Sequence, residues 1–330
     1  MRALRLALAV VAGALGCRQS PAPEASGDAP ELAPPPTSEL EAALREAGIG
    51  ARTLDVASGA ASGGSAPEAY ALVEAETDAG TFHVQWADLR RVALGHVAGD
   101  VIPGTGEPGR YHPDAPSPAL AMLAADSVVT AERARAGAAS GELLAVINGA
   151  FFETPMRPST RLAFPLAVGG EVVSGGSSPK GPGTPGSDGR RWDAPLRVLA
   201  IGTPEARIGE LDRASGEVDG GALGSGPWRD ALASYAPEAH PTRRRARFHV
   251  LGALDRDGDG TPETLVAATN DGGSRITDTA AVLDALGVAP QARIAPDGGA
   301  SVFVWNRAAG ALHWPARRQP LPHYLALRLR

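Results

Sequence analysis

The sequence predicts an α+β fold, with mixed β-sheets and a few flanking helices in a single main domain. Three observations carry that expectation. Gly 41 and Pro 29 in 330 residues demand many turns, and hence many short strands. Apolar runs of strand length recur and stop at Gly, Asn or Asp, whereas only three stretches space their apolar residues as a helix does. A hydrophobic content of 43% is enough to fold, and the length holds one large or two small domains.

Residues 1–17 read as an export signal: Arg2 and Arg5, an apolar core over 6–15, then Gly16 before Cys17. The core is too short for a comfortable membrane span. Ala14-Leu15-Gly16-Cys17 resembles a bacterial lipobox, with alanine where leucine is usual, so Cys17 is the expected lipidation site. The membrane is then met only through an N-terminal lipid. An ordinary signal with an incidental cysteine is the alternative. Arg18 after the cysteine resembles lipoproteins sorted to the outer membrane. With one cysteine no disulfide can form within the chain.

Residues 18–68 read as a Pro/Ala/Gly-rich spacer containing one short helix. Ser38 and Glu41 make a capping-box pattern, Leu40, Ala43, Leu44 and Ala47 share a face, and Gly48 ends it. The main domain is expected over 69–330. Residues 70–77 and 81–86 read as a hairpin about Asp78-Ala79-Gly80, and 99–118 as a long surface loop. Thr130 is expected to cap a helix ending near Gly137, ahead of a strand over 143–147. Residues 166–168 and 171–173 read as a hairpin about Gly169-Gly170, and 175–189 as a mobile low-complexity stretch. Strands are expected at 196–201, 247–254, 264–268, 292–295, 302–305 and 324–329. Thr277 is expected to cap a helix over 278–286, closed by Gly287.

Two strand ends stand out. L-L-A-V-I-N-G-A-F-F stops at Asn148-Gly149, and A-P-D-G-G-A-S stops at Asp297-Gly298-Gly299. Each places a polar side chain at a sheet edge beside residues that let a ligand approach closely. Taken singly, both are also common turn signals. Their order, with the segment Gly224-Ser225-Gly226-Pro227-Trp228, the run Arg243, Arg244, Arg245 and Arg247, and a T-x-T helix start between them, resembles the phosphodiester glycosidase family. The resemblance implies hydrolysis of a sugar-1-phosphate diester, with a glycan or glycosyl-phosphate substrate and no nucleotide cofactor. It makes Asp297 the acid/base or nucleophile and Arg245 or Arg247 the phosphate holder. Asn148 and Ser301 would orient the sugar, and Gly149, Gly298, Gly299 and Asp271 would line the site. Two departures narrow the site: Ala300 stands where relatives carry a third glycine, and Phe248 follows Arg247 where threonine or serine is usual. A binding module that kept the fold without turnover, or a calcium-stiffened structural lipoprotein, are the rival readings.

Independently, Asp255, Asp257, Asp259 and Glu263 place oxygen donors at relative positions 1, 3, 5 and 9, with Gly260 at 6. That suits a short structural calcium loop, although Val266 occupies position 12. A plain acidic turn is the alternative. The seven histidines lack zinc-ligand spacing and read as surface or core residues. Neither a phosphate-binding glycine loop nor a serine-hydrolase elbow is present. A net charge of -6 excludes non-specific nucleic-acid binding.

Overall fold

A computed structural model describes residues 38–58, 67–112, 114–136, 141–153, 158–177, 195–240 and 244–330. The expected signal and lipobox, residues 18–37 of the expected spacer, Arg243 and most of the expected low-complexity stretch lie outside the described residues. The architecture is α+β: three helices flank three main antiparallel sheets. Among the described residues no helix is long and apolar enough to cross a membrane.

The first sheet has six strands, ordered Gly50–Ser58, Glu68–Thr77, Gly80–Asp88, Thr264–Asn270, His249–Leu254 and Arg293–Ile294. The expected hairpin forms its middle, with Thr77 paired to Gly80 across Asp78-Ala79. The second sheet orders Gly310–His313, Val304–Asn306, Leu143–Asn148, His323–Leu329 and Val92–Ala98. The third orders Glu171–Gly175, Pro165–Val168, Ala231–Tyr235, Leu196–Ala200 and Ile208–Glu210. Its hairpin turns on Gly169 and Gly170, both at positive φ (64° and 93°), where a side chain would be strained.

Tyr70, Leu72, Leu251 and Leu265 from the first sheet pack with Leu144, Val304 and Leu325 from the second, and with Leu166, Leu199 and Leu232 from the third. On the outer face of the first sheet, Val73, Phe82, Val84 and Val266 are covered by Leu40, Leu44, Ile276, Val282 and Leu283 of two helices, Glu39–Glu46 and Ile276–Ala285. The third helix, Ala125–Ala136, sets Val128 and Val129 against Leu143, Val146 and Tyr324. The last strand is therefore buried on both faces, which is why Tyr324 and Ala326 are apolar as well as Leu325 and Leu327.

Several boundaries differ from expectation for local physical reasons. Residues 38–58 are not spacer: the first helix packs on a strand, Gly50–Ser58, that is the edge of the six-stranded sheet. Arg52 and Asp55 on that edge hid it from a search for apolar runs. The capping box is half formed. Ser38 Oγ accepts from Glu41 N at 3.0 Å, but the Glu41 carboxylate turns to Thr53, accepting from its N at 3.1 Å and its Oγ1 at 2.5 Å. Thr130 lies inside its helix, which starts at Ala125 directly after Leu123 bridges to Leu321. The helix at 276 starts earlier than Thr277, because Asp278 Oδ2 accepts from Arg275 N at 2.7 Å and fixes the first turn there. The strand Val92–Ala98 was not expected, since Ala93 and Gly95 interrupt its apolar pattern.

Candidate functional site

Asn148 ends the strand Leu143–Asn148, which is paired on both sides by strands remote in sequence, so Asn148-Gly149 is not a hairpin turn. There it touches the second glycine-rich end. Asn148 Nδ2 donates to Asp297 O at 2.6 Å, and Asp297 N donates to Gly149 O at 2.9 Å. Two segments about 150 residues apart are thus clasped by a reciprocal pair of hydrogen bonds.

The Asn148 side chain is buried (2% exposed) and almost fully committed. Its Oδ1 accepts from Phe303 N at 2.8 Å and lies 2.6 Å from His249 Nε2. A backbone N–H can only donate, so the oxygen must sit there and His249 Nε2 must carry the proton. His249 Nδ1 then accepts from Thr269 Oγ1 at 2.6 Å. Burial agrees with this neutral tautomer, pushing His249 down to about 3. Asn148 therefore holds the Asp297 backbone and has one N–H left to offer a ligand.

Asp297 is 8% exposed, and its Oδ1 accepts from Gly298 N at 3.0 Å. Gly298 and Gly299 are half-buried and Ala300 is exposed, so the loop following the carboxylate reaches solvent. A Cβ on Gly298 would lie 3.0 Å from Arg247 O and 3.2 Å from Phe248 Cδ1. Gly299, at φ 65°, donates its N–H to Arg247 O at 2.7 Å. The glycines thus let the carboxylate loop lie directly on the arginine segment.

Among the described arginines of the run, Arg247 is joined to this loop. Its half-buried guanidinium donates from Nη1 to Trp314 O at 3.1 Å and from Nε to Asp271 O at 3.4 Å. Arg245 is exposed and donates to Gly273 O at 2.6 Å. Asp271 is an exposed turn residue whose Oδ1 accepts from Gly273 N at 2.9 Å. Ser301 is buried, and its Oγ accepts from Gln319 Nε2 at 3.3 Å. Asn148, Gly149, Arg247, Gly298, Gly299 and Asp297 come together, whereas Arg245 and Asp271 join through the Gly273 turn.

Five histidines that the sequence left unassigned surround this junction: His83, His249, His313 and His323 are buried and His96 is half-buried. His83 Nδ1 lies 2.9 Å from His313 Nε2, and His96 Nδ1 lies 2.9 Å from His323 Nε2. His323 Nδ1 accepts from Ala150 N at 3.1 Å, so its Nε2 carries the proton and donates to His96. A Cβ on Gly149 would fall 2.2 Å from His323 Nδ1, so only glycine fits. Burial is the main cause lowering each pKa: His96 and His313 fall to about 4, His323 falls well below the usual histidine value, and His83 also falls. His249 stands two positions after Arg247 and His323 opens the last strand, but no spacing in the sequence pairs them.

Beside the junction is a wall of aromatic rings. Phe151 stacks with His240 at 6.4 Å and 29°, and meets Tyr235 edge-on at 5.5 Å. His240 meets Phe248 at 5.8 Å. Phe151 and His240 are half-buried, so part of this apolar surface faces solvent.

In the acidic loop, Asp255, Asp257 and Glu263 each bring a carboxylate oxygen within 4.8 Å of the others. Asp259, expected as a fourth ligand, is not in that group; its Oδ1 accepts from Thr261 N at 2.7 Å and closes a local turn.

No family model matches the sequence, and no curated protein does. Distant structural likeness is found among solved structures. The zebrafish N-acetylglucosamine-1-phosphodiester alpha-N-acetylglucosaminidase catalytic domain, auto-inhibited by its pro-peptide, has a TM-score of 0.43 at 14% identity, over 86% of this chain and 84% of that one. A hypothetical protein from Synechocystis has a TM-score of 0.41 at 11% identity, over 79% of this chain, which spans 62% of that chain's length. A presumed exported protein from Burkholderia pseudomallei has a TM-score of 0.41 at 13% identity, over 87% and 88%.

Proposed function

We propose that the Asn148–Asp297 junction is the catalytic centre of a hydrolase that cleaves a glycosyl phosphodiester outside the cytoplasm. The observation that carries this reading is the clamp. A carboxylate-bearing loop is fixed by Asn148 and Gly149 on one side, and lies against the backbone of an arginine on the other. Such fixing is what a group must have to act on one bond of a bound substrate.

In the proposed reaction Asp297 acts at the anomeric carbon, either as nucleophile or by taking a proton from water. The bond from that carbon to the bridging oxygen breaks, and the phosphomonoester leaves with the oxygen and both bonding electrons. Water supplies the hydroxyl that the sugar gains. Arg247, with Arg245 at the rim, would hold the phosphate; a guanidinium offers five N–H donors, and the two that Arg247 gives to carbonyls fix its plane. Asn148 and His249 would set the position of Asp297. Export on the 1–17 signal, with a lipid on Cys17 as the sole membrane attachment, belongs to the same proposal.

The half-exposed faces of Phe151 and His240 favour one second reading, a module that stacks a sugar ring without turnover. Release of free sugar from an N-acetylglucosaminyl phosphodiester by the purified protein, and its loss in Asp297→Asn, separates the two. Equal release by both proteins would remove Asp297 from the chemistry, and binding without release would leave the module.

A further inference from the structure

The nine-residue loop of residues 255–263 joins His249–Leu254 to Thr264–Asn270, the two strands that carry His249 and Thr269 at their opposite ends. Glu263 is 1% exposed, and its Oε2 is buried without a hydrogen-bond partner. Its Oε1 accepts from Thr264 Oγ1 at 3.0 Å. A buried carboxylate oxygen facing no donor is costly unless something positive meets it. The same carboxylate lies within 4.8 Å of ligand atoms on Asp255 and Asp257.

The cation paired with this carboxylate among the described residues, Arg90, does not answer that need. Arg90 Nη1 donates to Asp257 Oδ2 at 3.0 Å, while its Nη2 stands 3.6 Å from Glu263 Oε1, beyond hydrogen-bonding distance. Two of the three carboxylates, Asp257 and Glu263, share this one guanidinium, and Arg90 is shared further with Asp88. The loop is curled independently of any ion: Asp255 accepts from Gly258 N and Gly260 N at 2.7 Å each, with Gly258 and Gly260 at positive φ of 74° and 89°.

We propose that this loop binds one calcium ion through Asp255, Asp257 and Glu263, with the Oε2 of Glu263 as its buried ligand. All three donors are hard carboxylate oxygens on one loop, which disfavours transition metals, and three carboxylates exceed the one or two through which magnesium is usually held. The ion ties the last residue before the turn to the first after it. It thereby holds in register the hairpin whose far end supports Asn148 through His249. The inference is independent of the proposed reaction, because its readout is metal binding and not turnover.

The test is calorimetric titration of chelator-treated full-length protein with calcium chloride, alongside thermal melts with and without calcium. Saturable binding at one site and a midpoint raised by roughly 3–6 °C are expected. Glu263→Gln, which keeps the shape but not the charge, should fold as judged by circular dichroism and lose both responses. Asp257→Asn, at the solvent side of the loop, should weaken binding at least tenfold. The proposal is overturned if calcium at about 1 mM gives neither heat nor shift, if Glu263→Gln responds like the parent, or if magnesium produces an equal response.

Discussion

Acidification should unfold this protein well above the range where carboxylates titrate, because histidines withdrawn from solvent are held neutral. His249 is lowered to about 3 and His96 and His313 to about 4, with His323 also strongly lowered, chiefly by burial. The sign follows from proton counting. A histidine whose folded pKa is depressed stays neutral while its unfolded counterpart, near 6.5, takes up a proton. Stability is therefore intact above pH 7 and is lost as pH falls from about 6.5 towards the folded values. At pH 5 each such histidine costs about 2 kcal/mol, so four acting independently cost at most ~8 kcal/mol, comparable with the whole stability of a typical domain. Glu68, raised by burial, works weakly in the opposite direction near pH 4.5. Urea unfolding of the purified protein at half-unit steps from pH 8 to 5 reads this directly. The slope near pH 5 should approach four protons per molecule and fall by about one in His249→Gln. A flat profile between pH 6.5 and 5, or uptake of fewer than one proton, would refute the assignment of these side chains as withdrawn from solvent and neutral.

Two further outcomes follow from packing. Gly149→Ala should cost roughly 2–4 kcal/mol, since its Cβ must push His323 off Ala150 N; an unchanged urea midpoint would contradict the close approach. Removing residues 1–37 should leave the melting temperature within a degree or so, whereas removing 1–68 uncovers the face under Leu40 and Leu44 and exposes a new sheet edge. That should cost about 3–6 kcal/mol from the two leucines alone; equal melts for the two truncations would return 38–58 to the spacer.

Much of the fold was legible because its signals are local. The 143–148 strand is a continuous apolar run, the hairpins turn on Asp78-Ala79 and Gly169-Gly170, and Asp297 is followed by glycines that nothing in a strand requires. What could not be read depends on which remote strands become neighbours. Asn148 looked like a group offered to substrate, yet the flanking strands bring Phe303 N, His249 and Asp297 O to it and take up most of its hydrogen bonds. The histidine pairs join residues about 230 positions apart, so no spacing rule could find them. The edge strand Gly50–Ser58 escaped notice because an edge tolerates arginine and aspartate that an interior strand would not.

The most direct test of the clamp as a catalytic device is a double-mutant cycle on turnover of an N-acetylglucosaminyl phosphodiester, using Asp297→Asn, Asn148→Ala and both together. If Asn148 acts only by holding Asp297, Asn148→Ala lowers kcat with little change in KM, Asp297→Asn abolishes turnover, and the double variant is no worse than Asp297→Asn. Full turnover in Asp297→Asn, or independent additive losses from the two positions, would contradict it.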